Sequence, residues 1–247
     1  MSKFKILAAI VATTVMVACN NRPEDKTTEK STMEDKTKPL VQEVLTQEQR
    51  DALSPNDVLM AFKEGNKRFI NNDLTARDHS EQVRKSAAGQ FPKAVVLSCL
   101  DSRVPVEDVF DRGIGDIFVG RVAGNFVNED LLGSMEFGCK VAGAKMILVL
   151  GHEHCGAVKA AIDDVKLGNI TAMLAKIRPA VDKVQYDGDR TSKNKEFVHK
   201  VCESNVLNTI EQIRMNSPIL KELEDQGLIK IVGGVYDMDS GVVTFME

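Results

Sequence analysis

Apolar side chains recur along the chain in two patterns, and each pattern predicts a different kind of element. From Asp57 to Asn71, Val58, Leu59, Phe62 and Phe69 fall at helical spacing. Ser54-Pro55 ahead of them makes a helix start: the serine hydroxyl caps free amides, and proline fills the first helical position without losing a useful donor. A shorter amphipathic helix is expected from Ser80 to Ala88, before Gly89 and Pro92. By contrast, Ala94 to Leu97, Ile117 to Val119 and Met146 to Leu150 are short, unbroken apolar runs, the pattern of strands buried on both faces. Glu129 to Ala142 returns to helical spacing, with Leu131, Leu132, Met135, Phe137 and Val141 on or near the inner face. Ala157 to Arg178 reads as continuing helix, and Lys195 to Met215 as a long helix with a polar exterior. Leu228 to Val232 and Val242 to Phe245, with Tyr236 to Gly241 between them, read as a closing strand and hairpin. Strands alternating with helices predict an α/β domain with a mainly parallel central sheet flanked by helices.

The longest apolar run lies ahead of this domain, and it predicts a leader. Lys3 and Lys5 precede thirteen apolar or small residues, Ile6 to Ala18, which is shorter than the ~20 needed to span a bilayer. Met16-Val17-Ala18-Cys19 resembles a bacterial lipoprotein signal, in which the cysteine is lipidated and becomes the mature N-terminus. Residues 1–19 are therefore expected to be a lipoprotein-type signal peptide. Residues 20–40 carry balanced acids and bases with threonines and no periodic apolar face, the composition of a flexible polar linker. The folded domain is expected at 41–247. The mature protein is expected to be exported and lipid-anchored on the periplasmic side of a bacterial membrane.

Composition narrows the function class. Acids number 36 against 32 bases, for a formal net charge of −4, which argues against a nucleic-acid partner. Five cysteines in 247 residues are too few for a disulfide scaffold and suit a handful of special positions. Cys139 and Cys202 fall on expected helices as small buried residues. The other two in the domain follow expected strands.

Parallel sheets place their sites beyond the carboxyl ends of strands. Ser98-Cys99-Leu100-Asp101-Ser102-Arg103 follows the first strand, and Gly151-His152-Glu153-His154-Cys155-Gly156 follows the third. Neighbouring strands would bring Cys99, His152 and Cys155 together. Two thiolates and an imidazole suit zinc, and three protein donors leave a fourth position, as catalytic zinc sites do. Cys155 also opens a helix, where free amides favour its thiolate. On spacing alone, buried small thiols and a hydrogen-bonded core histidine remain the alternative. Asp101 beside the always-charged Arg103 stays ionised, either as an acceptor at the metal or as one half of a loop-bracing ion pair.

Cys99-x-Asp101-x-Arg103 together with His152-x-x-Cys155-Gly156 resembles the β-class carbonic anhydrases. The similarity runs from about Ser54 to the carboxyl end and takes in Glu64-Gly65-Asn66-x-Arg68-Phe69, Gly115-Asp116-x-Phe118-Val119-x-Arg121, Gly124-Asn125 and Gly133-Ser134-x-Glu136-Phe137. The resemblance implies one Zn2+ per chain on Cys99, His152 and Cys155. It implies Asp101 as acceptor for the metal's fourth ligand, or as that ligand itself in a closed form, with Arg103 holding Asp101 off the metal. Gln90, Phe118, Phe137 and Ala123 match positions that line the substrate pocket. The implied activity is reversible hydration of CO2 to bicarbonate by a homodimer or dimer of dimers whose pocket walls are shared between chains. His79, His154 and His199 are candidates for carrying the released proton.

Three rival readings follow from the same residues. A cysteine phosphatase is disfavoured because the step from Cys99 to Arg103 is short for a phosphate loop and Asp101 would repel an anion. A related zinc hydrolase acting on CS2 or COS would differ mainly in access to the site. A non-catalytic zinc-binding lipoprotein would have no need of Asp101, Arg103 and Gln90. For the anchor, Cys19→Ser is expected to release the domain as a soluble exported protein, since nothing after it is long and apolar enough to hold a bilayer. Membrane fractionation checks this: a variant still pelleting after high-salt washing would require a second hydrophobic attachment.

Overall fold

The computed structural model describes residues 39–246. The expected leader at 1–19 with Cys19, and positions 20–38 of the expected linker, lie outside the described residues. In chain order, helices α1 (Gln47–Asp51), α2 (Pro55–Ile70) and α3 (His79–Ser86) precede strand β1 (Ala94–Ser98). Helix α4 (Val106–Val109), strand β2 (Ile117–Arg121) and helix α5 (Glu129–Glu136) follow, then a π-helical turn at Phe137–Val141 and strand β3 (Met146–His152). Helices α6 (Gly156–Ile162), α7 (Gly168–Leu174), α8 (Arg178–Lys183), α9 (Lys195–Asn216) and α10 (Pro218–Asp225) lead to β4 (Lys230–Tyr236) and β5 (Val243–Met246).

The sheet order is β2-β1-β3-β4-β5, parallel except for β5, which returns antiparallel along β4. Alternation along the strands gives each face its own core. Val95, Leu97, Ile147 and Val149 pack with Leu132, Met135, Val206 and Ile213 from α5 and α9. Ala94, Val96, Met146 and Leu148 pack on the opposite face with Val58, Leu59 and Phe62 of α2 and with Val106 and Val109 of α4. A third cluster, including Val158, Ile177, Phe197 and Val201, surrounds Cys99 and Cys155 at the carboxyl end of the sheet. Helix α2 starts as its sequence predicts, with Ser54 and Asp57 forming a reciprocal capping box and Pro55 in the first turn.

Several expectations are corrected. The helix expected over Glu129 to Ala142 widens into the π turn, which leaves Phe137 and Val141 55% and 71% exposed rather than on the inner face, while Gly138 and Cys139 turn inward. The single helix expected over Ala157 to Arg178 is interrupted: left-handed backbone at Asp164 and Gly168 (φ +52° and +44°) separates α6 from α7, which ends at Leu174, and α8 starts only at Arg178. Strand β2 is half-buried, since it is an edge and not an interior strand. Strand β4 continues to Tyr236, through Gly233 and Gly234. A Cβ on Gly233 would lie 2.6 Å from Val206, so the glycine lets α9 approach the sheet closely. Helices α1, α4 and α10 are additional to the elements expected.

One buried charge ties the segments around β1 together. Asp111, fully buried, accepts from Thr75 Oγ1 (2.7 Å), from Arg77 (2.7 Å) and from Arg68. Burial pushes its carboxyl up, but the Thr75, Arg68 and Arg77 hydrogen bonds together outweigh this and hold it down at about 2. A carboxyl depressed in the folded state stabilises fully above its unfolded value and loses that contribution as pH falls towards the folded one. Asp111→Asn is expected to cost about 2 kcal/mol near neutral pH, and the gap from wild type to close between about pH 4 and 2. Urea unfolding across that range measures both.

Candidate metal centre

Strands β1 and β3 are adjacent and in register, Ser98 opposite Leu150, so the residues just beyond their ends emerge side by side. Cys99 is the first residue after β1, and His152 is the last of β3, paired with Tyr236. His154 then takes left-handed backbone (φ +56°), turning the chain so that Cys155 caps α6. The outcome is a buried group in which Cys99 Sγ, Cys155 Sγ and one ring nitrogen of His152 all lie within 4.8 Å of one another. The two sulfurs are 3.9 Å apart.

The donor set fits a metal ion. His152 Nδ1 lies 2.7 Å from the Glu153 carbonyl, which only accepts, so Nδ1 carries the proton and Nε2 presents its lone pair. That Nε2 is buried and has no hydrogen-bond partner. Buried polar atoms are normally paired, so an orphaned nitrogen facing two thiols is what a zinc site requires. Between the sulfurs, the hydrogen bond from Cys155, outweighing burial, and that from the Gly124 amide hold the Cys99 thiol well below its ordinary range. Cys155 is pushed far up, first by donating to Cys99 and then by burial. Two sulfurs 3.9 Å apart cannot both carry a negative charge cheaply without a cation between them. A divalent cation would favour both thiolates.

Asp101 borders this group. Its Oδ2 is 3.9 Å from His152 Nε2. Arg103 grips it from the other side: its backbone amide and Nε reach Oδ1 at 3.0 and 2.9 Å, and Nη2 reaches Oδ2 at 2.7 Å. The Arg103 hydrogen bonds hold the carboxyl well below the usual carboxylate range against opposing desolvation. Arg103 itself is exposed, so it can move without disturbing the core.

Two positioning groups have no assigned part in the sequence analysis. Arg121, at the carboxyl end of β2, donates to the Cys99 and Val104 carbonyls at 3.0 and 2.7 Å and so clamps the loop that carries Asp101 and Arg103. A charged residue closing an apolar strand, opposite Ser98 in register, is the signal that points to it. The Gly124 amide donates to Cys99 Sγ at 3.3 Å, and no side-chain pattern announces a backbone donor.

The proposed pocket residues separate. Ala123 adjoins Gly124, whose amide reaches Cys99 Sγ. Phe118 and Phe137 meet edge to face, 6.3 Å between centroids, beside a cleft of about 600 Å3 along β2. Gln90 lies before the amino end of β1, in a shallow recess with Gly89 and Gly115, at the opposite end of that strand from Cys99. One chain therefore does not bring Gln90, Phe118 and Phe137 onto its own thiol cluster. His154 is outside the cluster, 3.9 Å from Asp239, and His199 pairs with Glu153 at 2.8 Å.

Comparison with known proteins agrees with this chemistry. The family described as carbonic anhydrase matches residues 94–243. Carbonic anhydrase 2 of Mycobacterium tuberculosis is 36% identical over 187 residues, 73% of this chain and 87% of the relative. A carbonic anhydrase of Mycolicibacterium smegmatis is 34% identical, over 74% of this chain and 89% of its own length. Among solved structures, a Coccomyxa β-carbonic anhydrase in complex with acetazolamide superposes with a TM-score of 0.59 at 27% identity, covering 76% of this chain and 83% of that one. A tetrameric β-carbonic anhydrase from Sordaria macrospora shares the fold, with a TM-score of 0.58 at 23% identity over 77% of this chain and 92% of its own.

The geometry distinguishes two neighbouring histidines. Purified protein is expected to hold about one zinc per chain, lost in Cys99→Ala, His152→Ala and Cys155→Ala and kept in His154→Ala. Metal analysis by plasma mass spectrometry checks this, and zinc retained in His152→Ala but lost in His154→Ala would assign the ligand to the wrong ring.

Proposed function

Because the chain belongs to the β-class carbonic anhydrase family, we propose that it hydrates CO2 reversibly to bicarbonate and a proton at the Cys99–His152–Cys155 centre. The observation that carries this reading is the orphaned, buried Nε2 of His152 facing two thiols, with an ionised carboxylate at their edge. When bound there, zinc supplies the Lewis acidity that ionises water near neutral pH, at about pH 7 in the best-known sites.

The residues divide the remaining work. Cys99, Cys155 and His152 supply three donors, one fewer than a closed structural site uses. Asp101, ionised and held by three hydrogen bonds from Arg103, offers an oriented acceptor beside His152 Nε2. With both oxygens engaged by the guanidinium, the carboxylate faces the centre as an acceptor rather than joining the ligands. Arg121 keeps the loop in that position through its two carbonyl contacts.

CO2 is small and apolar, so it needs a dry wall beside the ionised group, and this chain supplies that wall in separated pieces. The proposal therefore includes a homodimer or dimer of dimers, in which Gln90, Phe118 and Phe137 of one copy complete the pocket of another. Its support is the half-exposed edge strand β2, the apolar cleft beside it, and the tetrameric assembly of the Sordaria relative. Export and lipid anchoring through Cys19 belong to the same proposal, supported by Lys3, Lys5 and the apolar run that follows.

Stopped-flow CO2 hydration, with and without a strong zinc chelator, tests the activity. Chelator-sensitive hydration is expected, and zinc-loaded protein that hydrolyses CS2 or COS but does not hydrate CO2, or that does neither, would replace the reading. Within it, Arg103→Ala is expected to keep zinc but lose about 10- to 100-fold in activity, because the released Asp101 then finds its best partner in the cation. Crystallography of the zinc-loaded variant would show Asp101 within ligating distance. Wild-type activity with Asp101 away from the metal would leave the pair as a loop brace.

A further inference from the structure

Helix α9 buries a side-chain amide among apolar neighbours. Asn205 is 1% exposed, on the face that Val201, Val206 and Ile213 turn towards the core. Its Nδ2 donates to the Gly124 carbonyl at 2.7 Å, while its Oδ1 has no hydrogen-bond partner. An unpaired buried oxygen is unfavourable, so the side chain is worth having there for the one hydrogen bond its nitrogen donates.

That donor acts on a tight turn. Gly124 and Asn125 are consecutive left-handed residues (φ +85° and +40°), and the Asn125 amide closes the turn on the Val122 carbonyl at 3.0 Å. Thr209, one turn further along α9, donates to the Asn125 carbonyl at 3.2 Å. On its other side the turn aims the Gly124 amide at Cys99 Sγ. A Cβ on Gly124 would sit 2.3 Å from Ile177, so the residue is wedged as well as bonded. Gly124 is thus held by its carbonyl from α9 and spends its amide on a sulfur of the metal centre.

We propose that Asn205 is a positioning residue for that centre: by gripping the Gly124 carbonyl it aims the Gly124 amide at Cys99 and sets how much charge this thiolate gives the ion. The inference rests on the zinc reading above. An N–H···S hydrogen bond draws electron density from the sulfur, and partners of this kind tune both affinity and Lewis acidity. When the grip is lost the turn relaxes, the amide swings off the sulfur, and Cys99 becomes a more electron-rich and less well-placed ligand.

The test uses the whole protein loaded with Co2+, whose sulfur-to-metal charge-transfer band reports on thiolate donation, alongside zinc affinity from chelator competition. Asn205→Leu, close in size and without the donor, is expected to move that band to longer wavelength and to weaken zinc binding about ten-fold. Asn208→Ala is the control, because Asn208 sits on the same helix but bonds Lys183 at 3.0 Å, away from the turn. It is expected to leave the band in place. Should Asn205→Leu not fold, Asn205→Ser decides, since its hydroxyl is too short to replace the amide. A folded Asn205 variant with the wild-type band and zinc affinity would overturn the proposal, as would an equal band shift in Asn208→Ala. Wild-type protein that takes up no cobalt would instead overturn the metal reading, and the proposal with it.

Discussion

A lone pair without a donor is costly to bury, and the carboxyl end of this sheet turns one such nitrogen and two sulfurs to a single point. The two sulfurs approach to 3.9 Å, one drawn strongly towards its thiolate, and the imidazole nitrogen that joins them has no protein partner. The surrounding elements keep that arrangement from relaxing. The register of β1 on β3 fixes how far Cys99 and His152 stand apart. Left-handed backbone at His154 brings Cys155 back to the start of α6. The Glu153 carbonyl takes the other ring proton, so His152 cannot satisfy Nε2 by changing tautomer. A cation is what such a set lacks, and its binding energy becomes folding energy for the loops that hold the ligands.

Two arginines support the site in different ways. Arg121 spends its guanidinium on main-chain carbonyls, Cys99 and Val104, and so fixes the path of the loop whatever happens at the metal. Arg103 spends its own on a carboxylate and is 57% exposed at the side chain, so its bond is replaceable. Rigid backbone with one exchangeable ion pair is a sound arrangement for a carboxylate that must stay near a cation without being captured by it. The planar guanidinium matters in both places, since a lysine could neither fork across two carbonyls nor grip both oxygens of Asp101.

The parts of this molecule legible in its sequence are those with local causes. Ser54-Pro55 announces a helix start through capping chemistry, and the buried strands β1 and β3 show in their unbroken apolar runs. Cys99, Asp101 and Arg103 follow the end of β1, and His152 and Cys155 stand at the end of β3, so the rule that parallel sheets build sites at their carboxyl ends joins them. What the sequence did not show depends on distant contacts. Gly233 reads as the end of a strand until Val206 is seen lying against it. Phe137 reads as core until the π turn rotates it outward. Arg121 looks like an ordinary strand-end charge, and the Gly124 amide carries no residue-type signal at all.

The exposed flank of the site has a reason in the chemistry proposed for it. Leu100, between a metal ligand and the acceptor carboxylate, is 66% exposed, and Arg103 beyond it faces solvent. An open mouth of this kind suits the exit of bicarbonate and a proton but not the desolvation of CO2, which needs an apolar wall. Strand β2, whose outer edge no strand among the described residues covers, carries Phe118 beside Phe137, while Gln90 lies at the far end of β1. None of these residues stands on its own thiol cluster, and on the proposed activity they serve the pocket of another copy. On the proposed activity, the half-burial of β2 is then a requirement of the pocket: a sheet that finished its own edge would leave no surface from which to complete a neighbour's site.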